Sequence, residues 1–296
     1  MSRALYLGVD GGATRSRARL RDASGKALAE ASGAAANIHV DFAAAIAALR
    51  AVVAEVLDEA GISDADRARI AIGLGLAGFK EGNDAARLAA AFPGFLRVRA
   101  GNDATTACVG AHAGADGGLI IAGTGSAAIA RVRAKETIIG GRGFALGDDG
   151  SGSHIGLDAL RSTMRAHDGL APKSPLTDAI FNEFDGDPVA MMNWALQAKA
   201  GDFGGFAPRV FEHAASHDPI ALEIVRTAAR AIGVLTRGVV ALGAERVALV
   251  GGVGEALRPY FEPDVAARLK PPLYDPTDGA ILFVGGAVAS ERQVAQ

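Results

Sequence analysis

Four glycine-rich turns, each placed where a strand is predicted to end, contain the residues best suited to bind an anion. They span residues 8–14, 123–126, 147–152 and 251–254. Glycine lets backbone N–H groups approach an anion closely and adopt positive φ. The first two turns add hydroxyl groups, and the first and third add carboxylates. Together these groups suit a polyphosphate with its metal ion, so the sequence predicts a nucleotide held between two lobes.

The first two turns are predicted to hold phosphate. In the first, the amides of Gly11 and Gly12 and the hydroxyl of Thr14 would contact phosphate, while Asp10 would orient Mg²⁺ through water. The second turn, Gly123–Ser126, follows an apolar strand and places Thr124 between two glycines. Ordinary tight turns favour the same residue types, so this alternative stays open for both. No Walker A loop exists anywhere in the chain.

Three further positions each have a functional and a structural interpretation. Asp103 follows a predicted strand, where it could cap a helix or act as a general base that accepts a hydroxyl proton. The loop with Asp148 and Asp149 could bind sugar hydroxyls or a metal, or it could be a solvated loop that caps a helix. The turn at residues 251–254 could contact an adenosine or allow close packing of a strand and a helix.

A fifth glycine motif, Gly73-Leu74-Gly75-Leu76-Ala77-Gly78, matches the dinucleotide fingerprint G-x-G-x-x-G. Four residues separate its last glycine from the next predicted helix. The acidic residue expected about 20 positions later is missing, because Val98 and Arg99 stand there. A dinucleotide site is therefore disfavoured. The six histidines have no zinc-protease spacing and are interpreted as ordinary surface or core residues.

The composition predicts a cytoplasmic enzyme. The 296 residues, half of them apolar, allow one large domain or two of ordinary size. A net charge of −3 and the lack of a basic cluster with interleaved aromatics argue against nucleic-acid binding. Cys108 is the single cysteine, which excludes an internal disulfide and a cysteine-rich zinc site. No membrane span or signal peptide is expected. The excess of arginine over lysine is interpreted as compositional bias.

Hydrophobic periodicity predicts the elements that would position these residues. In the first half we expect strands at residues 5–9, 16–21, 26–31, 69–76 and 95–100, with helices at 42–60, 83–91 and 104–113. In the second half we expect strands at residues 118–122, 127–132, 137–139, 247–250 and 281–284, helices between 154 and 242, and a terminal helix from 286. Each half begins with strand, glycine turn, strand, strand. This repetition predicts a duplicated α/β unit with mixed sheets flanked by helices, divided near residues 112–117.

Several motifs, taken in order, resemble the N-acetylglucosamine kinase branch of the BadF/BadG/BcrA/BcrD ATPase family, within the acetate kinase, sugar kinase, Hsp70 and actin superfamily. They are Val9–Ser16, Asn37, Gly101–Ala104, Gly123–Ser126 and Leu146–Ser151. The resemblance covers nearly the whole chain. It implies a duplicated ribonuclease-H-like (actin-like ATPase) fold, with two lobes around a central cleft. The first lobe would comprise residues 1–114 with a returning helix at 286–296, and the second would comprise residues 115–285.

The resemblance also implies ligands and roles. ATP would contact Gly11, Gly12, Thr14, Gly123 and Thr124, with its adenosine near Gly251, Gly252 and Val253. An amino sugar would contact Asn37, Asp103, Ser126, Gly141 and Asp148, and Asp10 would serve Mg²⁺. Asp103 would accept the proton of the sugar 6-hydroxyl.

The resemblance predicts an N-acetylglucosamine kinase. Because members of the family are commonly dimeric, it also predicts a homodimer. Glucosamine and N-acetylmuramate are alternative substrates, and a nucleotide-gated ATPase without a sugar substrate is an alternative of another class. Two other branches of the superfamily fit less well. Sugar kinases with a Cys/His zinc cluster and activators with a shared iron–sulfur cluster both need more cysteines than Cys108 supplies.

Overall fold

The computed structural model describes residues 4–12 and 14–289. The chain divides into two compact units. One comprises Met1–Asp116 together with Pro272–Gln296, and the other comprises Gly117–Pro271. The chain therefore returns to the first unit from residue 272, earlier than the expected residue 286.

The described residues form strands and helices whose bounds are as follows. The strands are β1 (Leu5–Gly11), β2 (Ser16–Asp22), β3 (Ala27–Gly33), β4 (Ile70–Leu76), β5 (Arg97–Asn102), β6 (Gly117–Ala122), β7 (Ser126–Val132), β8 (Lys135–Gly140), β9 (Val247–Val250) and β10 (Leu269–Lys270). The α-helices are α1 (Phe42–Glu59), α2 (Asn83–Ala91), α3 (Asp103–Ala111), α4 (Gly152–His167), α5 (Pro175–Asn182), α6 (Pro188–Gln197), α7 (Ala200–Gly204), α8 (Ala207–Ala215), α9 (Pro219–Ala241), α10 (Gly252–Leu257), α11 (Pro263–Arg268) and α12 (Pro276–Phe283). Short 3₁₀ helices span Asp64–Arg69 and Arg258–Tyr260.

Each unit contains one five-stranded mixed sheet, and the two sheets share one topology. The strand orders are β3-β2-β1-β4-β5 and β10-β9-β6-β7-β8. In each, the first strand pairs antiparallel with the second and parallel with the fourth, and the second pairs antiparallel with the third. This repetition confirms the predicted duplication and the ribonuclease-H-like fold class.

The first sheet buries an aliphatic face under α1. Side chains alternate along β1, so Leu5, Leu7 and Val9 point to this face and are buried. Helix α1 begins at Phe42, where the N-cap Asp41 accepts a hydrogen bond from the amide of Ala44. Its buried residues, which complete this core, are Ala45, Ile46, Leu49, Val52, Val53, Val56 and Leu57.

The opposite face of the same sheet lies under α12, and glycines allow the helix backbone to approach. A Cβ on Gly8 would overlap the carbonyl oxygen of Thr277, and one on Gly73 would overlap that of Ala280. A Cβ on Gly75 would overlap Thr106 of α3. The first two glycines of the dinucleotide-like motif, Gly73 and Gly75, therefore serve helix packing, which argues against a nucleotide fingerprint.

Arginines hold α12 at both ends. Arg19 and Arg21 of β2 pair with Asp275 and Asp278 at its N-terminus, at distances of 2.7–2.9 Å. At its C-terminus, Arg99 donates to the carbonyl of Phe283 at 2.6 Å. Arg97 donates to the carbonyl of Val284. Acidic groups at the start and cations at the end complement the helix dipole. These arginines thus have structural roles, which the interpretation as compositional bias missed.

The C-terminal part of the chain corrects two predictions. Residues 281–283 belong to α12 rather than to the predicted strand 281–284. A short apolar run such as this one is compatible with a strand or with a buried helix. The N-cap Asp275, followed by Pro276, favours the helix. Residues 286–289 are not helical, and the rest of the predicted terminal helix lies outside the described residues.

In the second unit, helices α4 to α9 surround a core that they share with the sheet. The longest, α9, begins at Pro219, and its N-cap Asp218 accepts hydrogen bonds from the amides of Ile220 and Ala221. Among the described residues, none of the helices is both long and apolar enough to cross a membrane.

Replacing Gly73 tests whether the close packing of α12 on the first sheet depends on this glycine. We expect Gly73→Ala to lower the free energy of unfolding by about 3 kcal/mol, because a methyl group there overpacks the helix backbone. Gly201→Ala is the matched control, since a Cβ at Gly201 meets no atom within 4 Å. Urea unfolding measures both variants. Equal stability of the two would show that α12 does not rest on Gly73.

Candidate functional site

Two carboxylates of the first unit lie at the ends of two strands of the same sheet. Asp10 is near the end of β1, and Asp103 directly follows β5. Strand β4 lies between them and is parallel to both, so the carboxyl ends of all three strands meet at one edge of the sheet. Burial, and after it the negative charge of Asp10, raise the pKa of the Asp103 carboxyl above its ordinary value. The two side chains thus interact electrostatically.

The N-cap of α3 is Asn102 rather than Asp103. The side-chain oxygen of Asn102 accepts a hydrogen bond from the amide of Ala104 at 2.9 Å. Asp103 is the first helical residue, and its Oδ1 accepts from the same amide at 2.9 Å. Because Asn102 already caps the helix, the capping role predicted for Asp103 is not needed. A carboxylate with a raised pKa is a stronger base, which suits Asp103 to accept a proton.

The turn after β1 uses its backbone internally. The amide of Gly12 donates to the carbonyl of Arg15 at 3.0 Å, which closes the hairpin between β1 and β2. Gly11 lies within β1, where a Cβ would press against Leu76. Gly11 and Gly12 thus both have structural roles, and the amide of Gly12 already donates a hydrogen bond within the turn. Thr14 is exposed, so its hydroxyl is open to a ligand.

Asn37 organises a local turn in the first unit. Its Oδ1 accepts hydrogen bonds from the amides of His39 at 3.0 Å and Val40 at 3.3 Å. Gly78 packs against this oxygen with a φ of +81°. With its oxygen engaged, Asn37 has its side-chain NH₂ group left to donate to a ligand.

In the second unit, carbonyl groups of the turn between β6 and β7 accept hydrogen bonds from the start of α4. The carbonyl of Gly123 accepts from the amide of Gly152 at 2.8 Å, and that of Thr124 accepts from the amide of Ser153 at 3.2 Å. The amide of Gly123 donates to the carbonyl of Gly125. The amides of Thr124 and Gly125 donate to no described residue. Successive amides of this kind form an anion-binding nest.

Three residues predicted to contact sugar converge on this turn. The amide of Ser126 donates to Oδ1 of Asp148 at 3.2 Å, and the amide of Gly141 donates to the carbonyl of Ser126 at 3.1 Å. The hydroxyl of Ser126 donates to the carbonyl of Asp149 at 2.8 Å. The structure therefore joins Ser126, Gly141 and Asp148 in one hydrogen-bonded cluster. Asp148 adopts a φ of +62°, in the left-handed region.

The turn after β9 adjoins the same region. Gly251 has a φ of +102°, and a Cβ on it would overlap the carbonyl oxygen of Ala122, at the end of β6. Gly252 begins α10, and the side chain of Val253 packs near Gly152. The two parallel strands β6 and β9 thus end in adjacent turns, and close approach of their backbones accounts for Gly251.

Two contacts of these residues were missed in the sequence. Nη2 of Arg17 lies 3.0 Å from Oδ2 of Asp10. Nε2 of His154 lies 2.9 Å from the carbonyl of Phe144, in the loop that carries Asp148. The hairpin register gives a signal for the first, because Arg17 stands directly opposite Asp10. No comparable signal exists for His154, whose partner is set by the loop conformation.

The residues fit a nucleotide with Mg²⁺ by the chemistry of their donors. Among the described residues, no three His, Cys, Asp or Glu side chains form a metal cage. Asp10 and Asp103 instead offer two interacting carboxylates, which suits an ion that keeps most of its water. The nest at Thr124 and Gly125 suits a phosphate.

Comparisons with known proteins identify the family and named relatives. Residues 7–284 match the model of the BadF/BadG/BcrA/BcrD ATPase family. The glucosamine kinase GspK of Vibrio cholerae is 35% identical over 282 residues, which cover 95% of each chain. The N-acetyl-D-glucosamine kinase of Dictyostelium discoideum is 29% identical and covers 81% of this chain and 80% of its own. A Chromobacterium violaceum structure, named as a proposed N-acetylglucosamine kinase, has a TM-score of 0.84 at 35% identity, covering 96% of this chain and 100% of its own.

The raised pKa of Asp103 predicts a pH-dependent cost to stability. The folded state holds this proton more tightly than the unfolded state, so ionisation of Asp103 destabilises the fold as the pH rises above its ordinary pKa of 3.8. We expect Asp103→Asn to raise the melting temperature near pH 7 and to lose this advantage towards about pH 4. Calorimetry over this pH range measures the difference in melting temperature, and Asp41→Asn at the exposed N-cap of α1 is the control. A pH-independent difference would contradict the raised pKa.

Proposed function

The chain belongs to the BadF/BadG/BcrA/BcrD ATPase family, and from this premise we propose that it is an ATP-dependent kinase that phosphorylates the 6-hydroxyl of an amino sugar. The observation that carries the chemistry is the pair of carboxylates at one sheet edge, in which Asp103 has a raised pKa beside Asp10. The names of the relatives supply the class of acceptor, since both curated ones compared above are amino-sugar kinases.

In this proposal, protein groups hold the nucleotide by its phosphates. The amides of Thr124 and Gly125 donate to phosphate oxygens, and the hydroxyl of Thr14 donates as well. Asp10 would hold the water of a bound Mg²⁺ ion, which would supply charge neutralisation at the phosphate oxygens. The turn at Gly251, Gly252 and Val253 lies against the adenosine.

In the proposal, protein contacts position the sugar for attack. The contacts that we propose come from Asn37, Asp103, Ser126, Gly141 and Asp148. Asp103 accepts the proton of the 6-hydroxyl as the sugar oxygen bonds to the γ-phosphorus and the bond to the β-phosphate oxygen breaks. The raised pKa strengthens Asp103 as a base, and orientation supplies most of the remaining rate enhancement.

We propose glucosamine as the preferred acceptor, ahead of the N-acetylglucosamine expected from the sequence. The glucosamine kinase relative has the higher identity and coverage of the two curated relatives. Several residues of the proposed site are acidic, namely Asp10, Asp103, Asp148 and Asp149, and an ammonium group would be attracted by carboxylates. An acetamide gains no such attraction.

We also propose that the enzyme is a cytoplasmic homodimer that uses Mg²⁺. The single cysteine, Cys108, is buried and in no disulfide, which suits a reducing compartment. Helix α6 presents Val189, Met192 and Leu196 to solvent on one face, and exposed apolar patches often mark interfaces. Analytical ultracentrifugation tests the dimer.

A coupled assay of ADP release tests the activity and the acceptor together. We expect ADP release to require an amino sugar, with a kcat/KM at least tenfold higher for glucosamine than for N-acetylglucosamine, about 1.4 kcal/mol in transition-state binding. N-acetylmannosamine, N-acetylmuramate and glucose complete the panel. ADP release that no sugar stimulates would favour the nucleotide-gated ATPase instead.

Replacing the proposed base tests the mechanism. We expect Asp103→Asn to lower kcat by about 10²–10⁴-fold, because the amide cannot accept the proton. Nucleotide binding, measured by calorimetry, should change little, since the substitution keeps the hydrogen bond from Ala104. Asp41→Asn is the control and should retain full activity. A kcat near that of the wild type would refute the role of Asp103.

A further inference from the structure

The side chain of Asp10 is held by a cross-strand partner. Asp10 of β1 and Arg17 of β2 are directly opposite in the antiparallel pair, so their side chains leave the sheet on the same face. Nη2 of Arg17 donates to Oδ2 of Asp10 at 3.0 Å. The two side chains are 23% and 19% exposed, so water screens this contact only partly. Oδ1 of Asp10 accepts no hydrogen bond from a described residue.

Arg17 is itself anchored from the other side. Its Nη1 lies 3.8 Å from Oδ2 of Asp275, the N-cap of α12. The other oxygen of Asp275 accepts from the amide of Asp278 at 2.9 Å, so this carboxylate is fixed to the helix. The planar guanidinium thus spans two carboxylates, one at the proposed nucleotide site and one on the returning helix. A lysine ammonium lacks this forked geometry.

We propose that Arg17 is a positioning residue for Asp10, fixing one carboxylate oxygen so that the other holds the water of Mg²⁺ in the nucleotide complex. This inference rests on the proposed function. Two physical effects support it. Arg17 restricts the rotamers of Asp10, and its charge offsets the repulsion between Asp10 and Asp103. Partners that orient metal-binding side chains typically contribute 10–100-fold to metal affinity.

Arg19 provides a matched control on the same strand. It points to the same face of β2 and pairs with Asp275 and Asp278 at 2.9 Å, as well as with Glu30. It stands opposite Gly8 rather than Asp10. Loss of Arg19 therefore disturbs the seat of α12 without removing the partner of Asp10, and this separates positioning from general stability.

Isothermal titration calorimetry of ADP, with excess Mg²⁺ and with a chelator, tests the proposal without relying on turnover. We expect Arg17→Gln to weaken binding of ADP in the presence of Mg²⁺ about tenfold and to leave metal-free ADP binding unchanged. We expect Arg19→Gln to lower the melting temperature but to keep the wild-type ratio of the two affinities.

Three results would overturn the assignment. They are an unchanged affinity ratio in Arg17→Gln, tighter binding with Mg²⁺ in that variant, and an equal fall of the ratio in Arg19→Gln. Should Arg17→Gln fail to fold, Arg17→Lys replaces it, with a smaller fall of the ratio expected and no fall overturning the proposal. If Mg²⁺ does not strengthen ADP binding to the wild type, the positioning role fails, while sugar-dependent ADP release would still uphold the kinase.

Discussion

Direct contact between a helix backbone and two strands is the constraint on which the first unit depends. Helix α12 can lie this close to β1 and β4 only because Gly8 and Gly73 have no side chain. The arginines of β2 and β5 then find acidic groups at one end of the helix and carbonyls at the other. This arrangement also brings Asp275 to Arg17, and through Arg17 to Asp10. The packing of α12 on the sheet and the orientation of the Asp10 carboxylate are thus linked through Arg17.

In the second unit, the first turn of helix α4 fixes two loops by hydrogen bonds. The first three residues of α4 are Gly152, Ser153 and His154. The first two bind the carbonyls of the turn between β6 and β7, and the third binds the carbonyl of Phe144 in the loop that carries Asp148. Both ligand-binding loops that we propose in this unit therefore rest on one rigid element. Rigid support of this kind lowers the entropy cost of binding.

Local sequence patterns predicted much of this architecture, because strands and amphipathic helices have periods that can be read directly. Helix α2 has the predicted bounds, and β9 does as well. Errors arose where a local pattern has two structural solutions. The apolar run after Asp278 fits either a strand or a buried helix, and the glycines at Gly73 and Gly75 fit either a phosphate turn or helix packing. Only the identity of the packing partner distinguishes these solutions. For Gly73 that partner is Ala280, which is distant in the sequence.

The sequence by itself determined the duplicated α/β plan, the glycine turns at the strand ends and the carboxylates next to them, because backbone propensity and polarity act locally. Tertiary structure decided which amides remain open, that Asn102 rather than Asp103 caps α3, and that Arg17 holds Asp10. It also decided the raised pKa of Asp103, which results from burial and from a charge 93 positions earlier in the chain. Hydrogen-bond partners and desolvation depend on which segments meet in space, and no local pattern contains that information.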